Sequence, residues 1–335
     1  MIRFGMCGCG GFIETAVLPM MCKVPSAKPV AAFDQNPETR ARVCEKFGME
    51  HNCQSLEELL ALEDVDVVYV ASPNVFHKEQ VIAAANAGKH VFCQKPMGMN
   101  AQECEEMVAA CEKNGVKMGL GFCYRYQAGQ SKVKAMLEEG AIGEVSFYHF
   151  SFNLGGYNPE TAGWRCVPKF SGGGPLMDLA PHLVDLIYYF SGQEIKSVMA
   201  YVDPERNAEQ NDNDAYAVME LSNGARAAMD VSFVRGNIHN YTIVGKKGQI
   251  RAMGTMCWNN ELEGIGKGEV YLEPFMDSHK VDYEIVEQLE EEVRQFTGAL
   301  ERGEDVPVNG AYGLKVQRVI DAIYESGRTG QRVFL

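Results

Sequence analysis

Along the first third of the chain, short apolar runs of strand length alternate with segments whose apolar residues recur at helical spacing. The runs are 2–7 IRFGMC, 29–33 PVAAF, 65–71 VDVVYVA, 89–93 KHVFC and 116–120 VKMGL. Between them, 37–47, 55–62, 74–87 and 100–114 carry charged faces and good helix formers, with Ser55 and Asn100 placed as N-caps. This alternation predicts β-α-β units and therefore an α/β domain with a doubly wound parallel sheet.

After residue 122 the pattern changes to longer runs at 143–153, 195–202, 214–221, 225–234, 239–245 and 248–253. SNGA at 222–225 and GKKGQ at 245–249 suit tight antiparallel hairpins. One helix is expected early in this half, near 175–190. Two more close the chain: 284–302, with Leu289, Val293, Phe296 and Leu300 on one face, and 311–326. The pattern predicts two domains, 1–122 and 123–335, the second α+β with an open, mostly antiparallel sheet. No internal repeat or low-complexity segment interrupts them. In the strand at 145–152 both faces are largely apolar: Val145 and Phe147 on one side, Tyr148, Phe150 and Phe152 on the other. A sheet face left bare in this way is expected to be covered by another subunit, as a homodimer or tetramer, or else by the chain's own loops.

Composition narrows the function. The 335 residues are 46% hydrophobic, enough for two cores. With 31 basic and 45 acidic residues the net charge is −14, which argues against nucleic acid or an anionic membrane as partner. Eleven cysteines, at 7, 9, 22, 44, 53, 93, 104, 111, 123, 166 and 257, form no C-x-x-C pair. They read as reduced, buried residues of a cytoplasmic protein. Cys7 and Cys9 lack the neighbouring ligands a metal needs, so no metal is expected. The N-terminus reads as a strand from its second residue rather than an export signal, and no run approaches the length of a membrane span.

The turn after the first strand is CGCGGFIE, residues 7–14. Gly8 and Gly10 match the first two glycines of G-x-G-x-x-G, which let backbone amides approach a pyrophosphate at a helix N-terminus. Ile13 stands at the third position. Asp34 ends the second strand, where a carboxylate accepts ribose hydroxyls and repels a 2'-phosphate, so NAD is favoured over NADP. An incidental glycine turn in a flavodoxin-like sheet is the alternative. Gly8, Gly10, Gly11, Phe12, Ile13 and Asp34 are thus candidate cofactor residues, joined by Ser72, Pro73, Asn74 and His77 of SPNVFH, which follows the strand at 65–71, and by Gln94 and Lys95 after the strand at 89–93.

Two stretches carry candidate chemistry. CQKPMG, 93–98, places Gln94 and Lys95 at the end of a strand, pinned by Pro96. GGGPLMDLAPHLVDLIYYFSG, 172–192, is a glycine turn leading into a helix with Asp178, His182 and Asp185 spaced by four and three. An imidazole flanked by carboxylates suits proton transfer. A metal site and a purely structural histidine are the competing readings.

Together these motifs, with YRY at 124–126, LEEGAIGEV at 137–145 and ESGRTGQRV at 325–333, resemble the Gfo/Idh/MocA oxidoreductases over nearly the whole chain. The resemblance implies a nicotinamide-binding Rossmann domain, an α+β domain whose open sheet often forms the subunit interface, and sugars, their derivatives or cyclitols as substrates. It maps the family's lysine onto Lys95 and its D-x-x-x-H onto Asp178 and His182. The expected reaction is hydride transfer between a ring carbon and nicotinamide, with His182 taking the hydroxyl proton, Lys95 hydrogen-bonding the same oxygen and Asp178 holding a neighbouring hydroxyl. Tyr124, Arg125, Trp164 and Arg165 are candidates for the substrate wall, with Asp178 and His182. Two positions depart from the family's pattern: Gln94 replaces a glutamate, removing a negative charge beside Lys95, and Ile13 replaces a small residue. A redox-assisted lyase or glycosidase that recycles a retained NAD, and a non-catalytic NAD or sugar sensor, are the alternatives.

Overall fold

The computed structural model describes residues 1–335 except 158, 208, 257–267 and 275–276, so Cys257 lies outside the described residues. In chain order the elements are β1 (Ile2–Cys7), α1 (Leu18–Met21), β2 (Ala27–Phe33), α2 (Pro37–Phe47), β3 (His51–Cys53), α3 (Leu56–Leu60), β4 (Val67–Val70), α4 (His77–Asn86), β5 (His90–Gln94), α5 (Ala101–Lys113) and β6 (Met118–Gly121). There follow α6 (Ala128–Glu138), β7 (Val145–Asn153), α7 (Pro159–Ala162), α8 (Pro168–Ser171), α9 (Pro175–Asp178), α10 (Ala180–Ser191), β8 (Ile195–Asp203), β9 (Asp214–Leu221) and β10 (Arg226–Ser232). The chain closes with β11 (Ile238–Gly245), β12 (Gly248–Met253), β13 (Glu269–Pro274), β14 (His279–Val281), α11 (Gln288–Arg302), α12 (Gly310–Thr329) and β15 (Val333–Phe334). Among the described residues no helix is long and apolar enough to cross a membrane.

The chain divides into two compact units. The first comprises Met1–Phe122 with Leu289–Gln317, the second Cys123–Gln288 with Arg318–Leu335. Unit 1 holds a six-stranded sheet in the order β3-β2-β1-β4-β5-β6, parallel throughout. This is the doubly wound Rossmann order, with its switch point between β1 and β4. Its strands are nearly continuous apolar runs because both faces are covered. The caps follow the sequence: Ser55 accepts the Glu58 N–H, and Asn100 accepts the Glu103 N–H.

Sequence reading placed 289–317 in the second domain; in the fold this stretch packs on the parallel sheet. Phe296 of α11 stands edge-on to Phe92, 4.9 Å between centroids, and 6.3 Å from Phe4. Gly119 of β6 makes room for it, since a Cβ there would lie 2.6 Å from the Phe296 ring. The apolar stripe of α11 was legible, but sequence spacing does not say which sheet will bury it.

Unit 2 contains, among the described residues, a nine-stranded sheet in the order β14-β13-β12-β11-β7-β10-β9-β8-β15. Its pairs are antiparallel except β7 with β10, which are parallel. Both expected hairpins form, and Gly224 in the first has φ +88°. One face of the sheet turns Tyr148, Phe150, Tyr241 and Met229 inward. The buried helix α10 lies under this face, with Phe190 near Phe150 and Tyr241 at 6.3 and 5.4 Å. On the other face Met199, Tyr201, Tyr216 and Val218 of β8 and β9 are exposed.

Candidate functional site

In unit 1 the site is built at the carboxyl ends of β1, β2, β4 and β5. Gly8 follows β1 with φ +91°, and a Cβ on it would lie 2.6 Å from the Ser72 backbone nitrogen. Only glycine lets the two loops meet so closely. Gly10 and Gly11 face open space, as an approaching pyrophosphate requires. Asp34 lies beside this turn: one carboxylate oxygen accepts the Cys9 N–H at 2.7 Å and the other the Asn36 N–H at 2.9 Å. The arrangement fits a dinucleotide, with the acid where a ribose would be held. Burial, aided by Asp34, pushes the Cys7 and Cys9 thiols up, away from the thiolate a metal would need. Of the described cysteines, Cys22 is exposed and Cys166 half-buried, contrary to the expectation that all are buried.

Ile13, the unexpected residue of the glycine motif, is buried within a π-helical turn, Ile13–Val17, that continues into α1. Leu18 N–H bonds to the Ile13 carbonyl, one residue beyond the α-helical register. Pro19 accounts for the slip: it has no N–H for the Thr15 carbonyl, and its ring would collide with that carbonyl in a regular helix.

Lys95 lies just past β5, and its peptide bond to Pro96 is cis. Gln94 is engaged by its neighbours: its Nε2 donates to the Tyr69 hydroxyl at 2.5 Å, and its amide lies over Gly121, where a Cβ would come within 2.7 Å. Tyr69 in turn stacks on Phe92 at 4.8 Å. The glutamine is thus part of a hydrogen-bonded layer within the sheet. His77 and Asn74, expected at the cofactor, are both buried. The His77 ring nitrogens face backbone carbonyls, Nδ1 the Pro96 oxygen at 3.0 Å and Nε2 the Ser72 oxygen at 2.9 Å. Its ring is committed to the protein rather than turned to a ligand.

In unit 2 the glycine turn 172–174 leads into α9, but the single helix expected at 175–190 is broken at Leu179. Pro181 lacks the N–H that would have joined the Met177 carbonyl, so α10 starts afresh. Asp178 ends α9, and His182 sits in the first turn of α10. The His182 ring is 4.3 Å from the Tyr124 ring and 6.5 Å from that of Phe152. Asp178 Oδ1 lies 4.0 Å from Arg165 Nε, and the Arg165 guanidinium stacks on Trp164 at 4.6 Å. Tyr124, Trp164, Arg165, Asp178 and His182 therefore form two small groups around the break.

Arg125 and Asp185 have another task. Asp185 is 1% exposed and accepts Arg125 Nε at 3.2 Å and its Nη2. The sequence makes Arg125 a candidate for the substrate wall and sets Asp185 three residues from His182. The two form a buried ion pair through Nε and Nη2 of the guanidinium.

Sequence reasoning missed Asp212, the residue that organises the glycine turn. Its carboxylate is fully buried, accepting the Gly174 N–H at 2.8 Å, the Leu176 N–H at 3.0 Å and the Tyr324 hydroxyl at 2.7 Å. Burial, followed by the Asp212 charge, pushes the Tyr324 phenol well above its usual range, so it remains a donor. Arg206 stacks on Tyr324 at 3.7 Å and donates to the Gly172 carbonyl. A Cβ on Gly174 would lie 1.8 Å from the Asp212 carbonyl oxygen, which explains the glycine. Nothing local in QNDNDA marks Asp212, whose partners lie 38 and 112 residues away.

Residues 2–122 match the family described as "Oxidoreductase family, NAD-binding Rossmann fold", GFO_IDH_MocA, and residues 134–335 its "C-terminal alpha/beta domain". The chain is 30% identical over 343 residues to D-xylose 1-dehydrogenase (NADP(+)) 2 of Haloferax volcanii, covering 100% of both. It is also 30% identical over 242 residues to levoglucosan dehydrogenase of Pseudarthrobacter phenanthrenivorans, covering 69% of this chain and 62% of that protein. Aldose-aldose oxidoreductase of Caulobacter crescentus, solved with glycerol, has a TM-score of 0.90 at 25% identity, over 100% of this chain and 99% of that one.

Proposed function

Because the chain belongs to the Gfo/Idh/MocA oxidoreductase family, we propose that it transfers hydride between a ring hydroxyl or ketone of a sugar, sugar derivative or cyclitol and NAD. The observation that carries this reading is the His182 ring, buried against Tyr124 in the first turn of α10, with Asp178, paired with Arg165, ending the short helix α9 just before it. The names of the relatives support the substrate class, and the Trp164–Arg165 stack offers an aromatic face and a guanidinium to a polyhydroxylated ring.

Bound nicotinamide supplies the hydride acceptor. Gly8, Gly10 and Gly11 admit the pyrophosphate and Asp34 holds the ribose; its carboxylate favours NAD over NADP. His182 takes the substrate hydroxyl proton in the oxidative direction. Lys95 donates a hydrogen bond to the substrate oxygen and steadies its developing negative charge. Asp178 holds a neighbouring hydroxyl. The exposed residues of β8 and β9 support association of two or more chains through the open sheet face.

The test is a panel of pyranoses, sugar derivatives and inositols with excess NAD, followed at the near-ultraviolet absorbance of reduced nicotinamide. Growth to many equivalents with one compound supports the dehydrogenase. A signal that stops at one equivalent, with cleavage of a substrate, would replace it with internal redox on a retained cofactor.

A further inference from the structure

Through its ring, His77 reaches both loops flanking the candidate cofactor and lysine positions. It begins α4 yet looks back at the strand ends, 1% exposed. Nε2 faces the Ser72 carbonyl at 2.9 Å, in the loop whose backbone abuts Gly8. Nδ1 faces the carbonyl of Pro96 at 3.0 Å, one residue past Lys95, with the Cys93 Sγ at 3.6 Å. The contacts run from the glycine turn through Ser72 and the imidazole to the lysine's own turn. The glycine turn, Ser72 and the lysine's turn follow three neighbouring strands of one sheet, β1, β4 and β5.

Helix α4 has no need of this ring. Its first turn has no side-chain cap hydrogen bond. A leucine or phenylalanine would fill such a dry site with no polar group to satisfy. An imidazole there is explained by the carbonyls it meets. Burial, reinforced by the Lys95 charge, pulls His77 below its ordinary range against the pull of the Ser72, Pro96 and Met97 carbonyls, so the ring is neutral. A neutral ring has one N–H, donated to the Pro96 oxygen or to that of Ser72 according to tautomer.

We propose that His77 is a positioning residue, whose imidazole couples the glycine-turn side of the site to the Lys95 turn and holds the lysine at its working position. The proposal rests on Lys95 acting on substrate, as proposed above. The role differs from direct contact with the cofactor, since both ring nitrogens face backbone carbonyls. It also differs from simple core filling, because its two ring nitrogens face a carbonyl of each loop, at 3.0 and 2.9 Å.

The experiment is a double-mutant cycle of His77→Phe with Lys95→Ala. His77→Phe keeps a ring of similar bulk and deletes both polar contacts. In the Lys95 background it should lower kcat by roughly 100-fold, the cost of misplacing a catalytic group by about an ångström, while NAD affinity by fluorescence titration changes less than about threefold. In the Lys95→Ala background it should change the residual rate little, because the group it positions is gone. His77→Gln, which restores one N–H donor, should recover part of the loss. Equal losses in both backgrounds, or full kcat in His77→Phe, would overturn the proposal.

A second readout does not depend on turnover: the acetylation rate of Lys95 in the intact protein, followed by mass spectrometry of its peptide. It should change severalfold in His77→Phe and His77→Gln, and an unchanged rate in both would overturn the positioning role. If no sugar is turned over but the acetylation rate moves, the substrate reading fails and the positioning of Lys95 stands.

Discussion

Asp212→Asn is the most informative single perturbation of unit 2. Asparagine keeps the shape of the side chain, so the packing around Met177 and Tyr324 is preserved. One aspartate oxygen serves both the Gly174 N–H and the Tyr324 hydroxyl, while the other serves the Leu176 N–H. With the amide oxygen on the first pair, the new NH2 meets the Leu176 N–H, donor against donor. One charge-assisted bond is lost, and the other two become neutral. A buried hydrogen bond to a charged group contributes about 1.5–3 kcal/mol, so the substitution should cost roughly 2–3 kcal/mol. For a unit of this size that lowers the thermal midpoint by about 4–12 °C, at about 2–4 °C per kcal/mol. Differential scanning calorimetry reads it directly. Tyr324→Phe is the companion: it removes one donor and leaves the carboxylate two N–H partners, so its cost should be about 1.5 kcal/mol, the low end of that range. Turnover should fall in Asp212→Asn with NAD affinity unchanged, since α9 carries Asp178 out of this turn. A midpoint within about 1 °C of the parent would refute the idea that the buried carboxylate organises the loop.

His182→Ala should lower turnover by about 100- to 10,000-fold with NAD affinity nearly unchanged, and a variant with full turnover in steady-state assays would remove the imidazole from proton transfer. Asp34→Ser should raise the preference for NADP over NAD by roughly tenfold, or about 1.4 kcal/mol, in the ratio of kcat/KM values; an unchanged ratio would mean the carboxylate does not select the cofactor. Burial opposes ionisation of Asp230, but bonds from His149, Ser151 and Asn153 and the Arg235 charge outweigh it and hold the carboxyl at about 2. Its folded value lies below the unfolded value of about 3.9, so this stabilisation is complete above about pH 5 and is lost as pH falls toward 2, an effect on the order of 2 kcal/mol. The gap in urea midpoint between the parent and Asp230→Asn should therefore close on acidification, and a gap constant with pH would contradict the assignment.

Much of the fold was legible in local signals. Alternating strand and helix periods called for the parallel sheet, the caps at Ser55 and Asn100 formed as read, and SNGA and GKKGQ made their hairpins. These features are decided within a few residues by backbone sterics and side-chain period, so one chain suffices to read them. Short elements escaped: β3 has three residues and β15 two, too few to show a period, and each exists because a neighbouring strand offers it a ladder. The helix α6 was also unread, its period blurred by small and polar residues in AGQSKVKAMLE.

The candidate site divides in the same way. Gly8, Gly10, Asp34, Lys95, Asp178 and His182 could be picked out because each stands in a motif whose spacing has a physical meaning. What those residues touch was a matter for the tertiary structure. The commitment of Arg125 to Asp185, the burial of His77 between two carbonyls and the hold of Asp212 on the glycine turn all join residues far apart along the chain. The same holds for α11, whose apolar stripe was visible while the sheet that buries it was not. Periodicity shows that a side chain must be buried, or that a charge needs a partner; only the folded chain decides which atoms meet it, because hydrogen bonds and packing act over ångströms of space and are indifferent to distance along the sequence.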